Sequence, residues 1–255
     1  MNSWVYLALA AFGLFAGVGI TAVGPGGILA TVGLFLLSGL SPAHVAGTAI
    51  VTHLATGTLG SAAYVRSGQL HQAHTRRIAL ILAITAAVGT PIGVLLNSLL
   101  PQKLFGFLLA AFIAAIAALV WLRSSRAPEP ATDPHHPTAL LIAGGLAVAS
   151  VSGMFGVGGP LLTVPLLVAA GTPILSALAA AQVQSVIVAG VGTLTYAVHG
   201  SIDWRLALVV GLPELVGVLI GWKIAQASHP RHLRGAMIAT LIAAAAVVGI
   251  QAVIR

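Results

Sequence analysis

The first Lys or Arg in this chain is Arg66, and from Trp4 up to that point the sequence is built of long apolar runs. After it the apolar blocks resume, most of them about 20 residues long, the length a helix needs to cross a hydrocarbon core of about 30 Å. Of 255 residues, 58% are hydrophobic and 6% are charged. A soluble domain carries about 25% charged residues. Four Asp and Glu and 11 Lys and Arg are too few to cover a water-facing surface. The expected fold class is an all-α polytopic membrane protein. A β-barrel would instead show alternating segments of about 10 residues. The net charge of +7 does not point to nucleic acid. Most of the basic residues lie in short connections between apolar blocks, where cytoplasmic loops collect them, and they form no dense patch with interleaved aromatics. Without cysteine, disulfides, thiolate catalysis and Cys-ligated zinc are excluded. A cleavable signal peptide opens with a basic region; none is present here, so residues 1–23 are expected to belong to the mature fold.

The apolar segments fall at about 4–23, 28–40, 43–65, 78–99 and 103–122, then at 138–155, 160–171, 174–198, 205–226 and 232–253. Between the two sets lies a polar stretch with four prolines. The expected organisation is an N-terminal transmembrane repeat at 1–122, a Pro-rich linker at 123–137 and a C-terminal transmembrane repeat at 138–255. The halves echo each other. A shift of 132 residues brings Gly24-Pro25-Gly26-Gly27 onto Gly156-Val157-Gly158-Gly159, Thr31 onto Thr163, Gly39 onto Gly171, Tyr64 onto Tyr196 and Gly68 onto Gly200. Segments 28–40 and 160–171 are too short to span alone, so each reads as the second arm of a broken hairpin bent near mid-membrane at the Gly-rich turn. If every arm counts as a crossing, eight basic residues fall on one side and three on the other; if each hairpin counts once, the split is seven to four. The first count obeys the positive-inside rule better. It gives five segments per half, both termini outside, and a second half inverted relative to the first.

In hydrocarbon every backbone N–H and C=O must be paired internally, so a turn at that depth survives only where protein or a wet cavity surrounds it. Paired interruptions in corresponding positions of two halves point to a transporter's binding site. The helix starts after Gly27 and Gly159 would aim free N–H groups and the positive dipole end at an anion. The bland alternative is that Gly24, Pro25, Gly26, Gly27, Gly156, Gly158 and Gly159 only let helices approach closely. In the third segment Thr48, Thr52 and Thr56 recur every four residues on one face, with His53 beside it; the matching stretch of the second half holds Gln182, Gln184 and Ser185. These are candidate substrate contacts, although buried Thr also satisfies its own helix's carbonyls. Glu214 is the one acid inside an apolar run, and an ionisable group at that depth is a functional candidate by default. Glu214 and His53 are the proton-coupling candidates, with a pairing of Glu214 to Lys223 as the alternative. No metal site and no cofactor are expected.

With the repeat in view, Gly24-Pro-Gly-Gly-Ile-Leu-Ala-Thr-Val32, Gly156-Val-Gly-Gly-Pro-Leu-Leu-Thr-Val-Pro165 and Tyr196-Ala-Val-His-Gly-Ser-Ile-Asp-Trp204 resemble the TauE/SafE family, also called the toluene sulfonate uptake permease family. The first half departs from the second, with Ile28 where Pro160 stands and Gly33 where Pro165 stands. The resemblance implies a secondary transporter, not an enzyme, in the bacterial plasma (inner) membrane, moving sulfonate, sulfoacetate or sulfite by alternating access. The expected partners are that anion and the lipid bilayer; a homodimer is compatible with the sequence. An anion channel is the first alternative. An intramembrane enzyme, built on His53 and Ser185 meeting across the repeat, is a more distant one. No G-x-x-x-x-G-K-[ST] motif occurs, so this chain lacks the phosphate-binding loop of a primary pump.

Overall fold

A computed structural model of the chain describes residues 2–22, 25–66, 68–124, 137–227 and 230–254. Its regular structure is helical: α1 (Ser3–Ala22), α2 (Ile28–Leu37), α3 (Pro42–Arg66), α4 (Ala73–Ser98) and α5 (Gln102–Ser124), then α6 (Thr138–Phe155), α7 (Pro160–Ala169), α8 (Ile174–Val198), α9 (Trp204–Ala227) and α10 (Pro230–Ile254). Among the described residues there is no strand. Each helix falls on one of the expected apolar runs, because a helix pairs its own backbone without help from water. Two boundaries differ from expectation. α4 starts at Ala73, so Arg76 and Arg77 ride exposed on its first turns. α5 continues through Ser124, and Pro137 is already the N-cap of α6. The remainder of the expected linker, 125–136, lies outside the described residues, as does Gly24.

Several helices stop on a left-handed glycine. Gly39 (φ +69°) follows α2 and Gly68 (φ +79°) follows α3; Gly171 (φ +93°) and Gly200 (φ +62°) follow α7 and α8. A residue with a Cβ pays for that conformation, whereas glycine turns the chain out of the helix freely. The members of each pair stand 132 residues apart, the spacing of the sequence echo.

Six helices among the described residues are long and apolar enough to cross a membrane: those holding 3–20, 73–98, 102–119, 138–155, 175–198 and 204–221. α2 and α7, with 10 residues each, reach about 15 Å at 1.5 Å per residue. α3 is 25 residues long but is not one of the six, because Thr48, Thr52, His53 and Thr56 dilute its apolar character. It is shielded by protein instead, packed against α8 and α9. The other principal partnerships are α1 with α9, α4 with α6, α4 with α8 and α5 with α10. If the helices of each half are numbered one to five, the first helix of each half lies on the fourth of the other. The third helices pair with each other, and so do the fifth.

α4 shows how one helix meets both environments. Ile78, Leu82, Ala86, Gly89, Gly93 and Asn97 are buried, while Leu80, Ile84, Val88, Ile92 and Leu95 form an exposed apolar stripe that water would penalise and lipid accepts. On the buried face a Cβ at Gly93 would come within 1.9 Å of the Ser150 carbonyl oxygen. Association of helices in lipid relies on such close backbone approach, since apolar surface gains nothing by leaving hydrocarbon. The main apolar cluster lies elsewhere, around Phe35, Phe105 and Phe155, whose rings sit 5.7 and 5.5 Å apart in succession.

Gly93→Val must push α4 off α6. Overpacking of this kind costs about 1–3 kcal/mol. A lower midpoint of thermal unfolding in detergent is the expected result, with Val88→Ala on the exposed stripe nearly silent. Equal midpoints for the two variants would refute the interface.

Candidate functional site

α3 and α9 bring two ionisable side chains together across 161 residues of sequence. His53 Nδ1 lies 3.0 Å from Glu214 Oε1, with His53 1% and Glu214 0% exposed. Either group alone would be expensive to hold at this depth, and a hydrogen-bonded pair offsets much of that cost. Lys223, the partner considered for Glu214 from the sequence, is exposed. The carboxyl group therefore reaches sideways to α3 instead of along its own helix.

His53 also lines a small pocket of about 20 Å³. α3 supplies His53 and Thr56 to its wall; Gly27 and Ile28 open α2, Gly158 and then Pro160 and Leu161 lead into α7, α8 gives Gln182 and Ser185, and Ile20 of α1 closes it. The starts of both short helices thus meet at one place. A 3-10 turn runs straight into α2 and α7 opens on Pro160, which has no N–H, but the positive ends of both helix dipoles favour negative charge there. The two glycines let backbone approach the polar side chains. A Cβ at Gly27 would sit 2.9 Å from His53 Cε1, and one at Gly158 would sit 3.1 Å from Ser185 Oγ. His53 Nε2 makes no hydrogen bond within the protein.

The remaining candidates from the sequence lie around this pocket or away from it. Gln184 is fully buried behind α7, where its Oε1 accepts a hydrogen bond from Thr163 and its Nε2 has no partner in the protein. Gly159 is the N-cap of α7 and lies against the same amide. Gly156 (φ +69°) ends α6 and touches Ala46 of α3. Pro25 and Gly26 form a 3-10 turn with Gly27, and Gly26 abuts Gly19 of α1. Thr48 and Thr52 are turned elsewhere. Thr48 Oγ1 accepts the backbone N–H of Asp203 at 3.0 Å, while Thr52 donates to Ala49 O at 2.8 Å and faces Gly211 of α9. The four-residue spacing does put the threonines on one side of α3, but α9 and the connection before it occupy most of that side, so only Thr56 reaches the pocket.

Two features went unnoticed in the sequence. One is the His53–Glu214 contact, which has no local signature. The other is Thr163, whose correspondence to Thr31 across the repeat was the available hint. Thr31 itself donates to Phe155 O at 3.2 Å, tying α2 to the turn of the other half.

The family model described as sulfite exporter TauE/SafE matches residues 9–248. A probable membrane transporter protein of Xylella fastidiosa (strain 9a5c) is 29% identical over 231 residues, covering 88% of this chain and 86% of that protein. The probable membrane transporter protein YdhB of Bacillus subtilis (strain 168) is 26% identical over 231 residues, covering 88% and 92%. A third relative, the probable membrane transporter protein ORF9 of a Sinorhizobium species, is 24% identical over 242 residues, covering 94% and 90%. No solved structure matches the chain.

Glu214→Leu would leave His53 Nδ1 buried without its partner, at a cost of about 1–3 kcal/mol. A clear drop in the thermal midpoint is expected, and a smaller one for Glu214→Gln, which still offers a hydrogen bond. If Leu and Gln melted together with the wild type, the pair would contribute nothing to the fold.

Proposed function

This chain belongs to the sulfite exporter TauE/SafE family, and on that footing we propose that it carries a small sulfur-containing anion, of the sulfonate, sulfoacetate or sulfite class, across the membrane by alternating access. It is a multi-pass membrane transporter, as the family and the relatives' names indicate, not an enzyme. The finer reading rests above all on one observation: the starts of α2 and α7, one from each half, converge on one pocket with His53, Gln182 and Ser185 in its wall. Two helix N-termini and uncharged donors suit an anion that must be both held and released. In this reading Gly27, Gly158, His53, Gln182 and Ser185 contact the substrate and Gln184 lies behind them. Gly24, Pro25, Gly26, Gly156 and Gly159 shape the two turns, and Thr48 and Thr52 set the position of α3.

The halves act as two repeats of five helices. The reciprocal helix partnerships and the helix-ending glycines at matched positions support this. An odd number of crossings per half inverts the second relative to the first, and rocking of such repeats about a shared site exposes it to one side and then the other. Transport is coupled to protons through His53 and Glu214, the two ionisable groups buried beside the pocket.

The reading is tested with purified protein in detergent and a panel of sulfite, sulfate, sulfoacetate, taurine, an aryl sulfonate and small carboxylates. A ligand at 100 times its Kd stabilises the folded state by about 2.7 kcal/mol. A rise in melting temperature with sulfur oxyanions and none with carboxylates is expected, reduced by Ser185→Ala or Gln182→Ala and kept in Thr52→Ala. Saturable flux of the same anion in liposomes distinguishes a carrier from a channel. A protein that no sulfur oxyanion stabilises would not be what we propose.

A further inference from the structure

His53 is paired at one ring nitrogen and unpaired at the other. Nδ1 meets Glu214 Oε1, while Nε2 is buried, makes no hydrogen bond in the protein and lies towards Gly27, which lines the same pocket. The rest of the pocket wall is uncharged: Thr56 on the same helix, Ile20 from α1, Gly27 and Ile28 at the start of α2, Pro160 and Leu161 from α7, and Gln182 and Ser185 from α8. The other described charged residues of α9 and its approach are occupied or outward. Asp203 accepts the N–H of Leu206, Arg205 lies over the ring of Tyr6, and Lys223 is exposed. Charge beside the pocket is therefore set by His53 and Glu214.

The two groups share one hydrogen bond, and the number of protons on the pair decides what Nε2 offers. When Glu214 is a carboxylate and His53 is neutral, the proton of the imidazole sits on Nδ1 and points at Oε1. Nε2 then presents a lone pair to the pocket, and the pair carries a net negative charge. One more proton reverses both features. It gives an imidazolium against a carboxylate, or a carboxylic acid donating to Nδ1 of a neutral imidazole; in either form Nε2 bears a hydrogen and the pair is uncharged overall.

We propose that His53 and Glu214 form a single proton site shared with the bound anion, Nε2–H donating to an anion oxygen, so that each anion binds together with one proton. His53 is the binding residue and Glu214 the positioning residue. The proposal rests on the reading of this pocket as an anion site. At low pH the pair already holds its proton, and affinity is flat. Above the pair's apparent pKa every binding event must draw a proton from solution, so affinity falls tenfold per pH unit. Anion and proton then travel in the same direction, and the proton gradient drives accumulation of the anion on the side to which protons flow.

The test is isothermal titration calorimetry of the full-length protein in detergent with sulfate, methanesulfonate and benzenesulfonate, whose own charges are constant over the range used. Buffers of different ionisation enthalpy report protons taken up per anion. The wild type is expected to take up close to one proton per anion on the alkaline side and none on the acidic side. In Glu214→Gln the amide N–H can donate to Nδ1 and hold the hydrogen on Nε2 without any titration. That variant is expected to bind anion with an affinity independent of pH and with no proton uptake. Wild-type binding that is flat and proton-free between about pH 5 and 9, a range that brackets the ordinary histidine pKa, overturns the shared site while leaving the anion pocket intact. Failure of the wild type to bind any of the three anions at any pH overturns the anion pocket itself. Wild-type proton uptake persisting in Glu214→Gln overturns the part given to Glu214.

Discussion

A hydrogen-bonded His53–Glu214 pair at about zero exposure is costly to bury, and much of the structure accounts for how it is sustained. Neither group could be left alone in a dry interior. α3 and α9 must therefore stay in register, and contacts on either side hold them there. The N–H of Asp203, just ahead of α9, is bonded to Thr48 of α3, and Gly211 of α9 lies against Thr52. Threonines that read as ligands in the sequence thus help to keep the histidine opposite its carboxyl group.

The second constraint is the shortness of α2 and α7. A helix of 10 residues covers about half of a hydrocarbon core, so one end of it must be buried inside protein. The fold solves this by turning the starts of both helices onto a common pocket and letting neighbouring helices shield the turns. Thr31 fastens α2 to the Phe155 carbonyl of the opposite half, and Thr163 fastens α7 to Gln184 of α8. Backbone groups left unpaired at a helix start would be a defect in a lipid-facing position. Placed at a pocket, they serve in the proposed function as donors for a ligand.

Small residues make the rest affordable. Gly17 abuts the backbone of Glu214, and Gly93 abuts that of Ser150, so α1 lies close on α9 and α4 close on α6. These are the same two partnerships that exchange when the halves are exchanged. The bundle is held by backbone proximity and by shape, while large apolar side chains such as Ile84 and Val88 are free to face outward.

Most of the helix plan was legible in the residues themselves. Apolar run length, Gly and Pro breaks and the 132-residue echo are local or self-referential signals, and the backbone's need to pair its own polar groups in hydrocarbon converts them directly into helices. The list of site residues was legible only in part. Gly27, His53, Gly158, Gln182 and Ser185 do share one pocket, yet Thr48 and Thr52, equally polar and equally buried, do not reach it. A helix wrapped by protein has several buried faces, and periodicity cannot tell which of them meets a cavity. The partner of Glu214 was beyond sequence reasoning for the same cause. Its nearest base along the chain is Lys223, but α9 carries Lys223 to the surface and lays Glu214 against a histidine 161 residues away. The residues alone determine a helical membrane bundle with two echoing halves. Only the packing of α3 on α9 decides which of its buried polar groups touch.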